Sequence, residues 1–299
     1  MPRLPSLLAL PFLLLALPSS GAAQDADRPP DLSGAYLASG TGADDSHEPY
    51  EAKVELKRTG SVVVPIFDPA WNVELYHVKW KFPSGGAELN GVGALINGTF
   101  YVAYTDEKKF FLELYWPWTM SSSQRAVEAR VQEMEGESAS KFVKNRPWYS
   151  DLDEASEYAG VWFHYDESFG VAGLTRETWT GQHRYRLHQV NDKFEWAKYG
   201  NKKFWTESGA LTVERSGRNF VVKFRESEDY SYSGVAITTP KGLTVAGVGG
   251  NKIAGVGTYH FTAKGLEGVW AQQGGEGRGT EVLAPSSDVL KKAGTLFRD

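Results

Sequence analysis

Six side chains stand out as groups able to hold or transform a ligand: Trp162, His164, Tyr232, Tyr259, Trp270 and Glu281. The Trp and Tyr residues offer flat apolar faces with a polar tip, which suits stacking on a sugar ring or a small molecule. Glu281 brings an acceptor when ionised and a proton when not. Two carboxyls about 5–10 Å apart would support glycosidase-type chemistry or isomerisation. Glu195, Glu207, Glu214, Glu267 and Glu281 all fall in or beside strand-like runs, so a pair could face each other across a barrel mouth. Solvated strand charges account for the same scatter, and catalytic residues stay unassigned.

Other chemistries are excluded more firmly. The sequence has no cysteine, which removes disulfides, thiolate metal ligands, a cysteine nucleophile and a lipoprotein-type anchor. The serine signature Gly-x-Ser-x-Gly is absent. His183 and His188 lie five apart, which in a strand puts them on opposite faces. His164 shares a face with Trp162, and His260 sits between Tyr259 and Phe261. None of this is metal-motif spacing, so neither a metal nor a cofactor is expected.

One loop invites a nucleotide reading: GVWAQQGGEGRGTEVLAP, Gly268–Pro285. A phosphate loop ends in Gly-Lys-Ser/Thr, and a dinucleotide loop leads from a buried strand into a helix. Here Gly-Arg-Gly-Thr is followed by TEVLAP, which Pro285 cuts short. The stretch reads as a hairpin turn with Glu276 and Arg278 in solvent. Trp270 and Glu281 then lie on adjacent antiparallel strands. Leu266 and Trp270 share the core face, with Tyr259 packed beside them.

The elements that must position these groups are strands. In YEAKVELK, Tyr50, Ala52, Val54 and Leu56 alternate with Glu51, Lys53, Glu55 and Lys57. Tyr76, Val78, Trp80 and Phe82 share a face, as do Phe220, Val222 and Phe224. Such alternation marks antiparallel sheet with one face in a core and one in water. Asn97-Gly98, between two apolar runs, is a hairpin turn by residue type. Ser121–Gly136 departs from the pattern, with a Ser start, a Gly stop and Val127, Val131 and Met134 at helical spacing, and should be the longest helix. Aromatics at Trp116–Trp118, Pro147–Tyr149 and Phe204–Glu207 flank loops, where they either recognise a ligand or plug barrel ends.

The halves echo each other. Val78–Tyr104 aligns with Val222–Val248, placing Gly91-Val92 on Gly234-Val235, and Ser33–Tyr36 resembles Ala159–Trp162. Gly-Leu-Glu-Gly-Val-Trp and its glycine loop find no partner in the first half, where the helical segment stands instead. A repeat this long implies two tandem domains of like fold.

Residues 1–23 carry Arg3, an apolar core from Leu7 to Leu17 and small residues before Ala22 and Ala23, the pattern of a secretory signal peptide. The core is shorter than the roughly 20 residues that span a bilayer, so no membrane span is expected. A net charge of −5 and a pI near 5.8 argue against nucleic acid as a partner.

Gly160-Val161-Trp162 resembles the Gly-x-Trp start of the lipocalin and avidin barrels. The run from Phe220 to Leu283 looks like a repeat of exported bacterial proteins of unknown function, some labelled fibronectin-binding. It carries Tyr232-Ser233-Gly234-Val235, Leu243-Thr244-Val245, Gly255-Val256-Gly257-Thr258-Tyr259, Leu266-Glu267-Gly268-Val269-Trp270 and Gly279-Thr280-Glu281. The resemblance implies fold and address and brings no catalytic residues. The reading is an all-β protein of two tandem antiparallel barrel-like domains joined by a helix-containing linker. Its boundaries are 1–23 signal, 31–118 first domain, 119–155 linker, 156–285 second domain and 286–299 tail. Its expected role is secreted or periplasmic binding of a small molecule, glycan or protein, with carboxylate-dependent catalysis as the alternative.

Overall fold

The computed structural model describes residues 30–43, 47–64, 71–83, 88–108, 110–117, 158–166, 169–174, 181–190, 204–225, 231–239, 242–249 and 252–297. For 62–64, 71, 117, 158–159, 169–174, 181–190 and 204–210 the backbone alone is described. The expected signal peptide, the Ser121–Gly136 helix and the side chains of His183, His188, Glu195 and Glu207 lie outside this description.

The described residues are dominated by strands. These are β1 (Gly34–Thr41), β2 (Pro49–Val64), β3 (Trp71–Lys81), β4 (Glu88–Ile96), β5 (Thr99–Thr105), β6 (Phe110–Pro117), β7 (Tyr158–His164) and β8 (Phe169–Leu174). They continue as β9 (Gly181–Val190), β10 (Phe204–Ser216), β11 (Asn219–Arg225), β12 (Ser231–Thr239), β13 (Gly242–Gly249), β14 (Gly255–Thr262), β15 (Gly265–Gln272) and β16 (Gly279–Pro285). One short helix, α1 (Ser287–Ala293), follows. Asn97 and Gly98 both take positive φ, 48° and 76°, and close the β4–β5 hairpin as their types require.

Eight strands close an antiparallel barrel in the order β1-β2-β3-β4-β5-β14-β15-β16, with β16 returning to β1. The second sheet runs β6 to β13 in chain order, and β13 pairs back onto β6. The two sheets are therefore nested and not tandem. The second is inserted between β5 and β14 of the first, so the expected domains 31–118 and 156–285 do not describe it. Strand β6 belongs with β7–β13, whereas β14–β16 belong with β1–β5. Register explains the choice: β14 finds its partner along β5, at Tyr104↔Gly255, and not along β13.

The aligned segments occupy matching places. Strands β3–β5 lead to β14 in one sheet, as β11–β13 lead to β6 in the other. The match continues beyond the sequence alignment, because Trp270 stands opposite Gly279 as Trp162 stands opposite Gly170. The counterpart of Gly268-Val269-Trp270 is thus Gly160-Val161-Trp162, and the likeness of Ser33–Tyr36 to that strand is incidental.

Strands β4, β5 and β13 are buried on both faces, unlike the half-buried β1. Their outward faces meet where the sheets pack, with β5 and β14 against β12, β13 and β6. Tyr101 and Trp116 meet edge-on there at 6.3 Å. The near-continuous apolar runs of these strands follow from burial on two sides. Trp116, expected at a barrel end or a ligand, belongs to this seam.

One end of the barrel is plugged. Val289, Ala293 and Phe297 from the C-terminal segment join Leu32 and Tyr36 in its core. Tyr36 donates to the Leu32 carbonyl at 2.8 Å, and Leu32 N–H donates to the Tyr76 hydroxyl at 3.2 Å. Nearby, Arg58 neutralises the buried Glu74 in an ion pair.

The glycine loop after β15 is a turn whose tip exposes Glu276, as expected, while Arg278 is half-buried against the second sheet. Buried Asn219, which opens β11, donates to the Gly275 and Gly277 carbonyls at 3.3 and 2.6 Å. Its Oδ1 accepts from Arg278 Nε at 3.1 Å, and Arg278 also donates to the Arg218 carbonyl at 2.7 Å. Arg218 N–H returns a bond to Glu276 O at 2.9 Å. Gly217 in the β10–β11 turn lets the loop backbone lie against it, since a Cβ there would strike Glu276 O. The loop joins the two sheets.

Two outcomes follow. Arg278→Ala leaves Asn219 Oδ1 buried without its donor and should lower unfolding free energy by about 1–3 kcal/mol, read by urea denaturation; an unchanged midpoint would show that the loop does not couple the sheets. Gly255→Ala drives a Cβ into the Tyr104 ring and should destabilise by about 1–3 kcal/mol. Gly294→Ala, in open space with φ −59°, should be neutral or stabilising by up to about 1 kcal/mol. Equal melting temperatures for the two glycine variants would contradict the packing described.

Candidate functional site

The end of the barrel opposite α1 is open. A pocket of about 360 Å³ enters there, lined by Tyr50 and Pro49 at the start of β2, Trp80 and Phe82 at the end of β3, and Leu89 on β4. Gly42, Glu48, Tyr104, Tyr259, Trp270, Gln272 and Glu281 complete it. Alternation places these aromatics: Trp80 follows Tyr76 and Val78 on the inner face of β3, and Tyr104 follows Phe100 and Val102 on that of β5. Gly268 makes room for Tyr259, since a Cβ there would come within 2.7 Å of the ring.

Glu281 forms the floor and is only 3% exposed. Tyr50 donates its hydroxyl to Oε1 at 2.8 Å, and Tyr259 donates to Oε2 at 2.7 Å. The Trp80 indole N–H is a third donor. Burial raises the Glu281 pKa above the usual carboxylate range, opposed by bonds from Tyr259, Tyr50 and Trp80. Burial and then the nearby Glu281 raise the pKa of Tyr50, Tyr104 and Tyr259, so these phenols stay protonated. Their rings stand at steep angles: Tyr50 to Trp270 at 74°, Tyr104 to Trp270 at 70° and Trp80 to Tyr104 at 50°.

Three of the six residues singled out by sequence, Tyr259, Trp270 and Glu281, therefore meet in one pocket. The other three meet in the second sheet. Trp162 and His164 have ring centroids 4.8 Å apart, His164 stacks on Phe111 at 5.6 Å, and Tyr232 meets Phe111 edge-on at 5.6 Å. Burial lowers the His164 pKa, against the opposite pull of Asp166. The two groups hold equivalent positions, since Trp162 matches Trp270, His164 matches Gln272 and Tyr232 matches Leu89 through the shared register.

Sequence reading missed Tyr50, Trp80, Phe82 and Tyr104. The alternation in YEAKVELK and ELYHVKWKF marks the face of Tyr50, Trp80 and Phe82, but nothing local shows which end of the barrel is open. It also missed Glu113, buried on β6 and accepting from the Tyr115 hydroxyl at 2.6 Å. Of the carboxyls lining the first pocket, Glu281 is deep and Glu48 lies at the exposed rim. Among the described residues no group of three His, Asp or Glu side chains is placed to hold a metal. No family model matches this chain, and neither a curated protein nor a solved structure shows significant similarity to it.

The raised pKa of Glu281 carries a pH dependence. A carboxyl that keeps its proton longer in the folded state binds more protons folded than unfolded. Stability is then fully present below the unfolded pKa, near 4.5, and declines as pH rises toward the folded value. Glu281→Gln cannot ionise, so its stability relative to the parent should rise between pH 4 and 8. Urea midpoints of both proteins across that range check this; a constant difference would place the Glu281 pKa near its ordinary value.

Proposed function

We propose that this is an exported binding protein that holds a small molecule in the open mouth of its first barrel. The observation that carries the reading is the pocket: one end of the barrel is plugged by α1, while the other opens onto aromatic rings around a hydrogen-bonded carboxyl. Small-ligand sites are typically of this kind, mostly apolar walls with few placed polar groups. Its volume suits a small molecule better than a glycan chain or a protein segment. The N-terminal apolar segment supports export to a secreted or periplasmic location. Among the described residues no helix is long and apolar enough to cross a membrane. We read the second sheet as a second barrel of the same design, with Trp162, His164 and Tyr232 at the place matching the first pocket.

Carboxylate-dependent catalysis is the second reading. The raised pKa of Glu281 between two tyrosines favours it, because a buried carboxyl that holds its proton more firmly than usual can exchange it with a substrate. Among the described lining residues Glu281 is the one deep carboxyl, which weighs against a two-carboxylate hydrolase that needs both acids beside the scissile bond.

A neutral apolar reporter tests the pocket. N-phenyl-1-naphthylamine should show saturable fluorescence enhancement with the mature protein. Trp270→Ala, at a partly exposed position, should weaken that binding at least tenfold while leaving the chain folded by circular dichroism. Absence of saturation, or equal affinity in the variant, would overturn the reading.

A further inference from the structure

We propose that the first-barrel pocket takes a small organic cation, an ammonium group carried on a compact apolar or aromatic body. This rests on the reading of the pocket as a small-molecule site and adds the chemical class of the ligand.

The charge of the lining points one way. Glu281 lies at the floor and Glu48 at the rim, and among the described lining residues there is no Lys, Arg or His. An anion entering here would approach a buried carboxyl with no counter-charge. A neutral molecule would gain the walls and hydrogen bonds to polar groups such as Gln272, but no charge pairing. A cation gains the walls, the carboxyl and the rings.

The rings suit that cation. Tyr50, Trp80, Phe82, Tyr104 and Trp270 surround one small space. The contacts between them are tilted or edge-on, from Trp80 and Tyr104 at 50° to Tyr50 and Trp270 at 74°. None of these pairs is stacked face to face. Aromatic faces carry negative potential and attract an ammonium group, most strongly away from water.

The carboxyl has capacity left. A carboxylate offers about four acceptor sites, and Tyr50, Tyr259 and Trp80 supply three donors. One site remains for a ligand N–H, or the cation can rest across the ring faces beside the carboxylate. A bound positive charge offsets the burial of that carboxylate, which makes ionised Glu281 and the cation mutually stabilising. The volume of about 360 Å³ restricts the body of the ligand to a compact one.

Calorimetric titration of the mature chain with three probes of one shape tests this. They are 2-phenylethylammonium, 2-phenylethanol and phenylacetate. The ammonium should bind at least tenfold tighter than the alcohol, with phenylacetate weakest. Glu281→Gln should erase most of that preference while keeping affinity for the alcohol. Glu48→Gln, at an exposed position where folding is not at risk, should reduce the preference a few-fold. If the alcohol or phenylacetate binds as tightly as the ammonium, the cation assignment fails and the pocket reading stands. If none of the three binds or displaces N-phenyl-1-naphthylamine, the cation assignment also fails; saturable binding of that reporter decides separately whether the pocket survives.

Discussion

Tyr104 stands opposite Gly255, and Phe111 stands opposite Gly247. Each ring covers the space that a glycine leaves, since a Cβ on either glycine would enter it. These four residues sit where the chain passes from one sheet to the other, and the topology depends on their pairing. Had β6 simply followed β5 around the first sheet, as in a tandem arrangement, Tyr104 would face Phe111. Gly247 would then face Gly255 in the second. One sheet would be overfilled and the other left with a void, each costing on the order of 1–3 kcal/mol or more. Exchanging β6–β8 with β14–β16 removes both faults together. Large-against-small pairing acts as a specification against the alternative register.

The exchange also decides what the pocket contains. A sheet of β1–β5 alone has two open edges and no floor. The strands that close it bring Tyr259, Trp270 and Glu281, while Tyr50, Trp80, Phe82 and Tyr104 come from the strands that wait. The site is thus composed from both ends of the chain and exists only once the barrel is closed. The glycine loop between β15 and β16 contributes to the same end, because its bonds to Arg218 and Asn219 anchor the closing strands against the second sheet.

Much of the strand content was legible because half-buried strands advertise themselves by alternation, as in Tyr50 to Lys57. The hairpin at Asn97-Gly98 was legible because positive φ restricts residue choice. The nesting was not. Strands β4, β5 and β13 are buried on both faces, so their apolar runs do not say which side is core and which is seam. The repeat was found over β3–β5 and β11–β13, where the spacing is nearly conserved between halves. It was lost at β7 and β15, because a long segment separates β6 from β7 while a two-residue turn separates β14 from β15. The paired Gly-Val-Trp at Gly160 and Gly268 is the surviving signal, and Ser33–Tyr36 on β1 carries a competing likeness. Three of the pocket residues were found from chemistry alone. The rest needed the ring of strands to be known, since they come from β2, β3 and β5.

The equivalence of the sheets shows that the carboxyl is not an accident of one strand. Tyr259 and Tyr115 hold the same place, each lying over a glycine, Gly268 and Gly160, where a Cβ would come within 2.7 Å of the ring. Each donates to a buried carboxyl, yet the two acids arise at different positions. In the first barrel Glu281 comes from β16, and Gly257 leaves space beside Tyr259. In the second sheet the position matching Gly257 is Glu113, and the one matching Glu281 is Ala172. A second carboxyl against the same tyrosine would bury two like charges side by side, which forces one to stay protonated. An acid on one strand with a small residue on the other satisfies the tyrosine once. The two halves have solved that constraint in opposite ways, so the requirement lies in the tyrosine–carboxyl pair and not in either strand.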